Sequence, residues 1–231
     1  MKTASEEHFD KIASRYDPGK KKYSYYYENL KKLLASLIPP DKNVYEIGCG
    51  TGDLLATLKP KIGYGVDVSS EMIKIAKLKY GSSKNLHFFT DYPSTIIHQP
   101  SFDFIFMSDV IEHLDNPKEI FRKVRNIMDG KTVFTVGQQT MFICTMANPI
   151  WEPLLMIWEK LGLKMREGPH KRIAFEDLRT LIKESGMEIV KHNYKLLIPV
   201  KIPLITNFAN RYLEKYFKRL AFIEYFVAVK A

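Results

Sequence analysis

The sequence predicts an α/β protein built on a mostly parallel, seven-stranded sheet with helices on both faces. Three observations lead there. Short apolar runs alternate with segments of helical periodicity, the order that a parallel sheet with crossover helices requires. The first run, Val44-Tyr45-Glu46-Ile47, leads straight into the glycine-spaced turn Gly48-Cys49-Gly50-Thr51-Gly52. The second run ends on a carboxylate, Asp67, nineteen residues after Gly48.

Strands fall near 43–48, 62–67, 86–91, 102–108, 132–136, 188–198 and 224–230, each an apolar or β-branched run bounded by turn residues. Helical spacing fills the gaps at 53–58, at 70–80 through Met72, Ile73 and Ala76, and at 117–128 through Ile120, Phe121, Val124 and Met128. It returns at 175–184, where Gly186 is the stop signal. Pro93 and Pro100 bracket only six residues after the third strand, too few for a good helix. Before the first strand, residues 6–37 read as two helices separated by Asp17-Pro18-Gly19, the second opening on Tyr23, Tyr25, Tyr26 and Tyr27. Two amphipathic helices are expected late in the chain. One spans 148–161 with Trp151, Leu154, Leu155 and Trp158, and the other spans 203–220 with Leu204, Phe208, Leu213, Phe217 and Leu220.

A length of 231 residues with 45% hydrophobic content supports one sizeable core. A single domain is expected, with a helical lid over 1–40, a cofactor-binding core over 41–137 and cover elements with the last two strands over 138–231. Cys49 and Cys144 stand far apart without partner histidines at ligand spacing, so neither a disulfide nor a metal site is indicated. The polar start of the chain, with Glu6 and Glu7, lacks the form of a secretory signal, and no apolar run approaches the roughly 18 residues of a spanning helix. A cytoplasmic protein is expected. The net charge of +9 divides unevenly: residues 1–115 hold 15 Lys and Arg against 15 Asp and Glu, and residues 116–231 hold 20 against 11.

A glycine turn at the carboxyl end of a first strand lets backbone approach a nucleotide-type ligand closely, and a carboxylate ending the next strand can accept hydrogen bonds from ribose hydroxyls. Two acids then discriminate between cofactors. A dinucleotide fingerprint needs Gly or Ala three positions after its second glycine, but Asp53 stands there and would repel a pyrophosphate. S-adenosylmethionine (SAM) carries an ammonium and a sulfonium and no phosphate, so Glu46 and Asp53 are favourable to it. An NAD-dependent oxidoreductase is the weaker alternative.

The pattern Glu46-x-Gly48-x-Gly50-x-Gly52 followed by an acidic strand end resembles the first two motifs of class I SAM-dependent methyltransferases. That resemblance implies a Rossmann-like sheet with its last strand antiparallel. It puts Gly48, Gly50 and Gly52 along the methionine part of SAM, Asp67 on the ribose and Met72 near the adenine. It also puts Asp91 at the adenine amino group with Tyr92 beside it. Cys49 inside the turn and Val68 and Ser108 at strand ends belong to the same expected cofactor site. Residues 8–17 are similar to the lid helix of ubiquinone- and menaquinone-type methyltransferases, in which Tyr16 would lie near the SAM carboxylate. Ser108-Asp109-Val110-Ile111-Glu112-His113-Leu114 resembles the stretch after the fourth strand in that group. Residues 37–40, 108–116 and 194–210 are similar to bacterial methyltransferases associated with glycosyltransferases, which implies a glycan or lipid-linked acceptor.

Methyl transfer needs alignment of acceptor, methyl and sulfur, and a hydroxyl acceptor needs a base as well. Asp109 and His113 follow the fourth strand, and His170 sits in a loop that could reach over the pocket; histidine is the residue type that titrates near neutrality. Oxygen methylation of a small-molecule, glycan or lipid-like acceptor is expected, including an anionic one. A nucleic-acid substrate is disfavoured, because Ser108-Asp109-Val110-Ile111 stands where base methyltransferases carry a Pro-Pro-aromatic clamp. Between Ile189 and Phe222 seven Lys and Arg face one acid, Glu214, so 203–220 could rest on an anionic membrane. The non-enzyme reading is a SAM-binding subunit without chemistry.

Overall fold

A computed structural model describes residues 2–90, 101–128, 139–160 and 173–231. Seven strands form one sheet in the order β3-β2-β1-β4-β5-β7-β6. Its first half is β1 (Asn43–Ile47), β2 (Ile62–Asp67), β3 (Leu86–Thr90) and β4 (Phe104–Ser108), all mutually parallel. β5 (Met141–Ala147) joins β4 in parallel, and β7 (Ile223–Lys230) runs antiparallel between β5 and β6 (Met187–Lys195). The chain order reverses between β1 and β4, so their carboxyl ends splay apart and leave the crevice in which such sheets hold ligands.

Burial on both faces explains why the central strands read as apolar runs without alternation. On one face Leu30, Leu34, Leu55, Ile73, Phe106 and Ile143 pack together, and on the other Tyr45, Ile105, Phe121, Phe142, Ile182 and Phe226. The first layer belongs to α2 (Ser24–Leu37), α3 (Asp53–Thr57) and α4 (Ser70–Tyr80), the second to α5 (Pro117–Met128) and α7 (Phe175–Glu184). Gly186, in a left-handed conformation at φ +78°, ends α7 as its position in the sequence suggests.

Three expectations need correction, and a fourth falls outside the described residues. The strand beside β4 is Met141–Ala147; the segment 132–136 lies outside the described residues. β5 is buried along nearly its whole length, from Phe142 to Met146. The first helix, α1 (Ala4–Lys22), does not break at Asp17-Pro18-Gly19 but runs on to Tyr23. Proline costs a helix interior about 3 kcal/mol, and the turn is held by Asp17, which accepts hydrogen bonds from the Thr51 hydroxyl at 2.6 Å and the Lys79 ammonium at 2.9 Å. In the expected 148–161 helix, Pro149–Trp151 form a 3-10 turn before α6 (Glu152–Lys160). Finally, 203–220 is not one helix: α8 (Ile205–Phe208) passes into a wide π turn at Ala209–Leu213 and a 3-10 turn at Lys218–Leu220.

Candidate active site

A cavity of about 360 Å³ opens over the carboxyl ends of β1, β2 and β4, roofed by α1 and α2. Its floor is the glycine turn. The Gly48 and Cys49 N–H groups both donate to Val66 O, at 2.8 and 2.9 Å, which folds the chain sharply back on β2. Gly48 (φ +70°) and Gly50 (φ +52°) sit in the left-handed region, where a side chain is strained, and a Cβ on Gly48 would overlap Val110. The bare turn leaves backbone facing the cavity, a cradle of the kind a nucleoside cofactor needs.

Two buried carboxylates border the turn. Asp67 accepts from Gly50 N at 2.8 Å and Ser69 N at 2.9 Å, tying the turn to the start of α4. Burial raises its pKa, against the pull of these two N–H groups. Glu46 accepts from Leu55 N at 3.1 Å, and burial pushes its pKa well up. The ammonium of Lys20 lies 4.4 Å from the centre of the Tyr16 ring and 5.0 Å from that of Tyr27, and its charge partly offsets the burial of both acids. Among the described residues acids outnumber cations along the cavity, which suits a positively charged ligand without phosphate.

The cavity continues past the glycine turn to the turn after β4. Asp109, at φ +55°, accepts a 2.6 Å hydrogen bond from the Tyr26 hydroxyl of α2. Burial first, and then Asp109, hold the Tyr26 phenol far above its ordinary pKa, so it stays a donor. His113 ends a 3-10 turn and meets the Phe9 ring of α1 edge to face at 5.3 Å. Trp158 of α6, with Pro199 and Val200 after β6, closes this end.

Of the residues expected from sequence, Tyr16, Glu46, Gly48, Cys49, Gly50 and Asp67 line this cavity, as do Val68, Met72, Ser108, Asp109 and His113. Cys49 is buried there, which drives its thiol pKa well up. Gly52 is not in the lining; its missing Cβ makes room for the Phe88 ring, which would otherwise stand 2.8 Å away. Asp53 also turns from the cavity, pairing with Lys79 and accepting from the Tyr80 hydroxyl at 2.7 Å, so its charge is spent outside. Asp91, Tyr92 and His170 lie outside the described residues. Among the described residues no group of three His, Cys, Asp or Glu could hold a metal ion. The sequence reading missed Lys20, Phe9 and Ile12. With Tyr16 they recur at helical spacing along α1, a stripe concealed by the assumed break at Pro18.

Residues 45–132 match the protein family described as "Methyltransferase domain". This stretch, which holds the glycine turn, Asp67 and the turn after β4, is what the chain shares with methyltransferases. Uncharacterized protein MJ1123 of Methanocaldococcus jannaschii is 31% identical to this chain over 137 residues, covering 58% of this chain and 63% of that one. Malonyl-[acyl-carrier protein] O-methyltransferase 1 of Ilyobacter polytropus is 29% identical over 107 residues, 43% of this chain and 40% of its own length. The chain thus spans less than two thirds of the length of these two relatives. A solved complex of the Haloferax volcanii Trm112 methyltransferase activator with a methyltransferase shares the fold, with a TM-score of 0.69 at 17% identity over 96% of this chain and 97% of that one.

Proposed function

We propose that the protein transfers the methyl group of SAM to a hydroxyl oxygen of a small-molecule, glycan or lipid-like acceptor held in the distal half of the cavity. The observation that carries this reading is continuity: one cavity joins the glycine turn and Asp67 to Asp109 and His113. When bound, SAM supplies the electrophilic methyl and a fixed positive charge that vanishes on transfer.

The chain's own residues then have separable tasks. Gly48 and Gly50 admit the methionine part against bare backbone, Asp67 takes the ribose hydroxyls, and Met72 packs the adenine. Glu46 meets the ammonium. Tyr16 and Lys20 lie on the lid helix where the SAM carboxylate would reach them. The lid is hooked to the cofactor floor by Asp10, which accepts from the Ser69 hydroxyl at 2.6 Å and from Glu71 N at 3.3 Å. Closing that lid excludes water. At the distal end His113 accepts the proton of the acceptor hydroxyl, while Asp109 is braced by Tyr26 and shapes the wall.

Asp109, Glu112, Asp115 and Glu119 line the distal end, and the one lysine there, Lys123, pairs with Glu119 at 2.6 Å. This surplus of acid favours an uncharged hydroxyl over an anionic group at the reacting atom. The similarity of residues 8–17 and 108–114 to quinone-type small-molecule methyltransferases supports this reading. Titration calorimetry with SAM, followed by an assay for S-adenosylhomocysteine release against a panel of hydroxylated lipids and glycans, tests the proposal. SAM binding without turnover on any acceptor would leave a cofactor-binding subunit in its place.

A further inference from the structure

The segment from Val200 to Leu220 is folded inside out. Its polar side chains point inward: the buried Thr206 hydroxyl donates to Val200 O and accepts from Ile202 N, both at 2.8 Å. Asn210 brackets Ile198, accepting from its N–H at 2.8 Å and donating to its carbonyl at 3.0 Å, and also donates to the Tyr25 hydroxyl at 3.1 Å. Glu214 accepts from Leu196 N at 2.7 Å and the Lys195 ammonium at 2.8 Å. Residues 206, 210 and 214 thus all turn toward the 195–202 segment. The apolar side chains take the other: Leu204 is 88% exposed, Tyr216 71%, and Ile205 and Phe208 56% each. Leu204 even adopts φ +63°, a strained conformation for a non-glycine residue, with its side chain in solvent.

Single exposed apolar residues are ordinary, but a run of them on one face marks an interaction surface. α6 extends the surface. Its Ile157 and the preceding Ile150 are exposed, and the Trp151 indole N–H donates to Leu220 O at 2.8 Å, tying the two elements together. The same elements form the rim of the cavity through Leu155, Trp158, Pro199 and Val200. Charge identifies the occupant. Lys201, Arg211, Lys215, Lys218 and Arg219 are all exposed, whereas Glu214, the one acid between 198 and 222, is turned inward.

We propose that this face docks on an anionic lipid bilayer, with Leu204, Ile205 and Phe208 at the boundary of headgroups and acyl chains and the basic residues on lipid phosphates, so that the cavity mouth opens against the membrane. The inference rests on the proposed function only for its corollary, that the acceptor enters from the bilayer. An acidic protein partner would match the cations but would not call for apolar and tyrosine side chains spread along a series of short, broken turns.

The test is co-sedimentation with vesicles of phosphatidylcholine alone and of phosphatidylcholine with about one third phosphatidylglycerol. Quenching of the two tryptophans, Trp151 and Trp158, by lipids labelled near the headgroup reports orientation. We expect strong partitioning to the anionic vesicles, weak partitioning to the neutral ones, and quenching on the anionic vesicles only. Lys215→Ala with Lys218→Ala should lower anionic partitioning about 30-fold. Leu204→Glu with Phe208→Glu should lower it at least as much. SAM affinity, measured on the same samples, should not move, which shows that the variants fold and separates failure of docking from failure of the cofactor reading. Equal partitioning to both vesicle types, partitioning indifferent to both double variants, or self-association through this face with no vesicle binding would each overturn the proposal.

Discussion

Replacing Glu46 with glutamine should make the protein more stable and a worse SAM binder. The glutamine carbonyl can still accept from Leu55 N, now at 3.1 Å from the carboxylate, so local packing is kept and only the charge is lost. Burial raises the Glu46 pKa, with nearby Asp67 and Asp53 adding to the shift and Lys20 and Leu55 N opposing it. A carboxyl whose folded pKa is raised binds more protons folded than unfolded, so its contribution to stability falls as pH rises from the ordinary value of about 4.3 up through its folded value. The glutamine variant lacks that slope and should gain stability at neutral pH. Against this stands the lost attraction for the SAM ammonium. At about 4 Å and an effective dielectric near 20 the Coulomb energy is roughly 4 kcal/mol, and after partial compensation a loss of about 2–4 kcal/mol is expected, some 30- to 1000-fold in Kd. Urea unfolding from pH 4 to 8 and calorimetric titration of SAM measure the two effects. Destabilisation at neutral pH, or a SAM affinity within threefold of wild type, would refute the reasoning.

Four further outcomes follow from the geometry. Gly48→Ala forces a Cβ into Val110 at a positive φ and should cost about 1–3 kcal/mol of stability and abolish detectable SAM binding, both readable in a thermal shift assay with and without SAM. Tyr26→Phe removes the 2.6 Å bond to Asp109 and should lower stability by about 1–3 kcal/mol, with turnover falling and SAM affinity intact by calorimetry. His113→Gln should reduce turnover about 100-fold or more without changing SAM affinity, which single-turnover kinetics would reveal. Asp10→Ala unhooks the lid from Ser69 and Glu71, so SAM affinity should drop about tenfold and amide exchange in α1 should quicken.

The glycine turn and the carboxylate beside it were legible because their placement is local. Gly48, Gly50 and Asp67 are fixed by one strand-turn-helix and one strand end, and they are found where the spacing placed them. Gly52 and Asp53 misled for the same reason: spacing tells that a glycine and an acid adjoin the turn, not that Phe88 and Lys79 have claimed them from outside. The fifth strand and the unbroken α1 depend on contacts far along the chain, β4 and β7 around Met141–Ala147 and Thr51 and Lys79 on Asp17, which no window of periodicity samples. At the acceptor end, Asp109 and His113 stood out as chemical types, but the Tyr26–Asp109 bond joins residues 83 positions apart. The basic run at 201–219 was plain in composition. That Thr206, Asn210 and Glu214 turn inward and leave the apolar side bare emerges only from the hydrogen bonds to Ile198, Val200 and Leu196.

Buried acids beside a bare glycine bend should select a cationic, phosphate-free nucleoside. Calorimetric titration of the protein with SAM and with NAD at neutral pH is the deciding measurement. Saturable SAM binding, with no heat from NAD, is the predicted result. Tighter binding of NAD, or no heat from SAM, would contradict it.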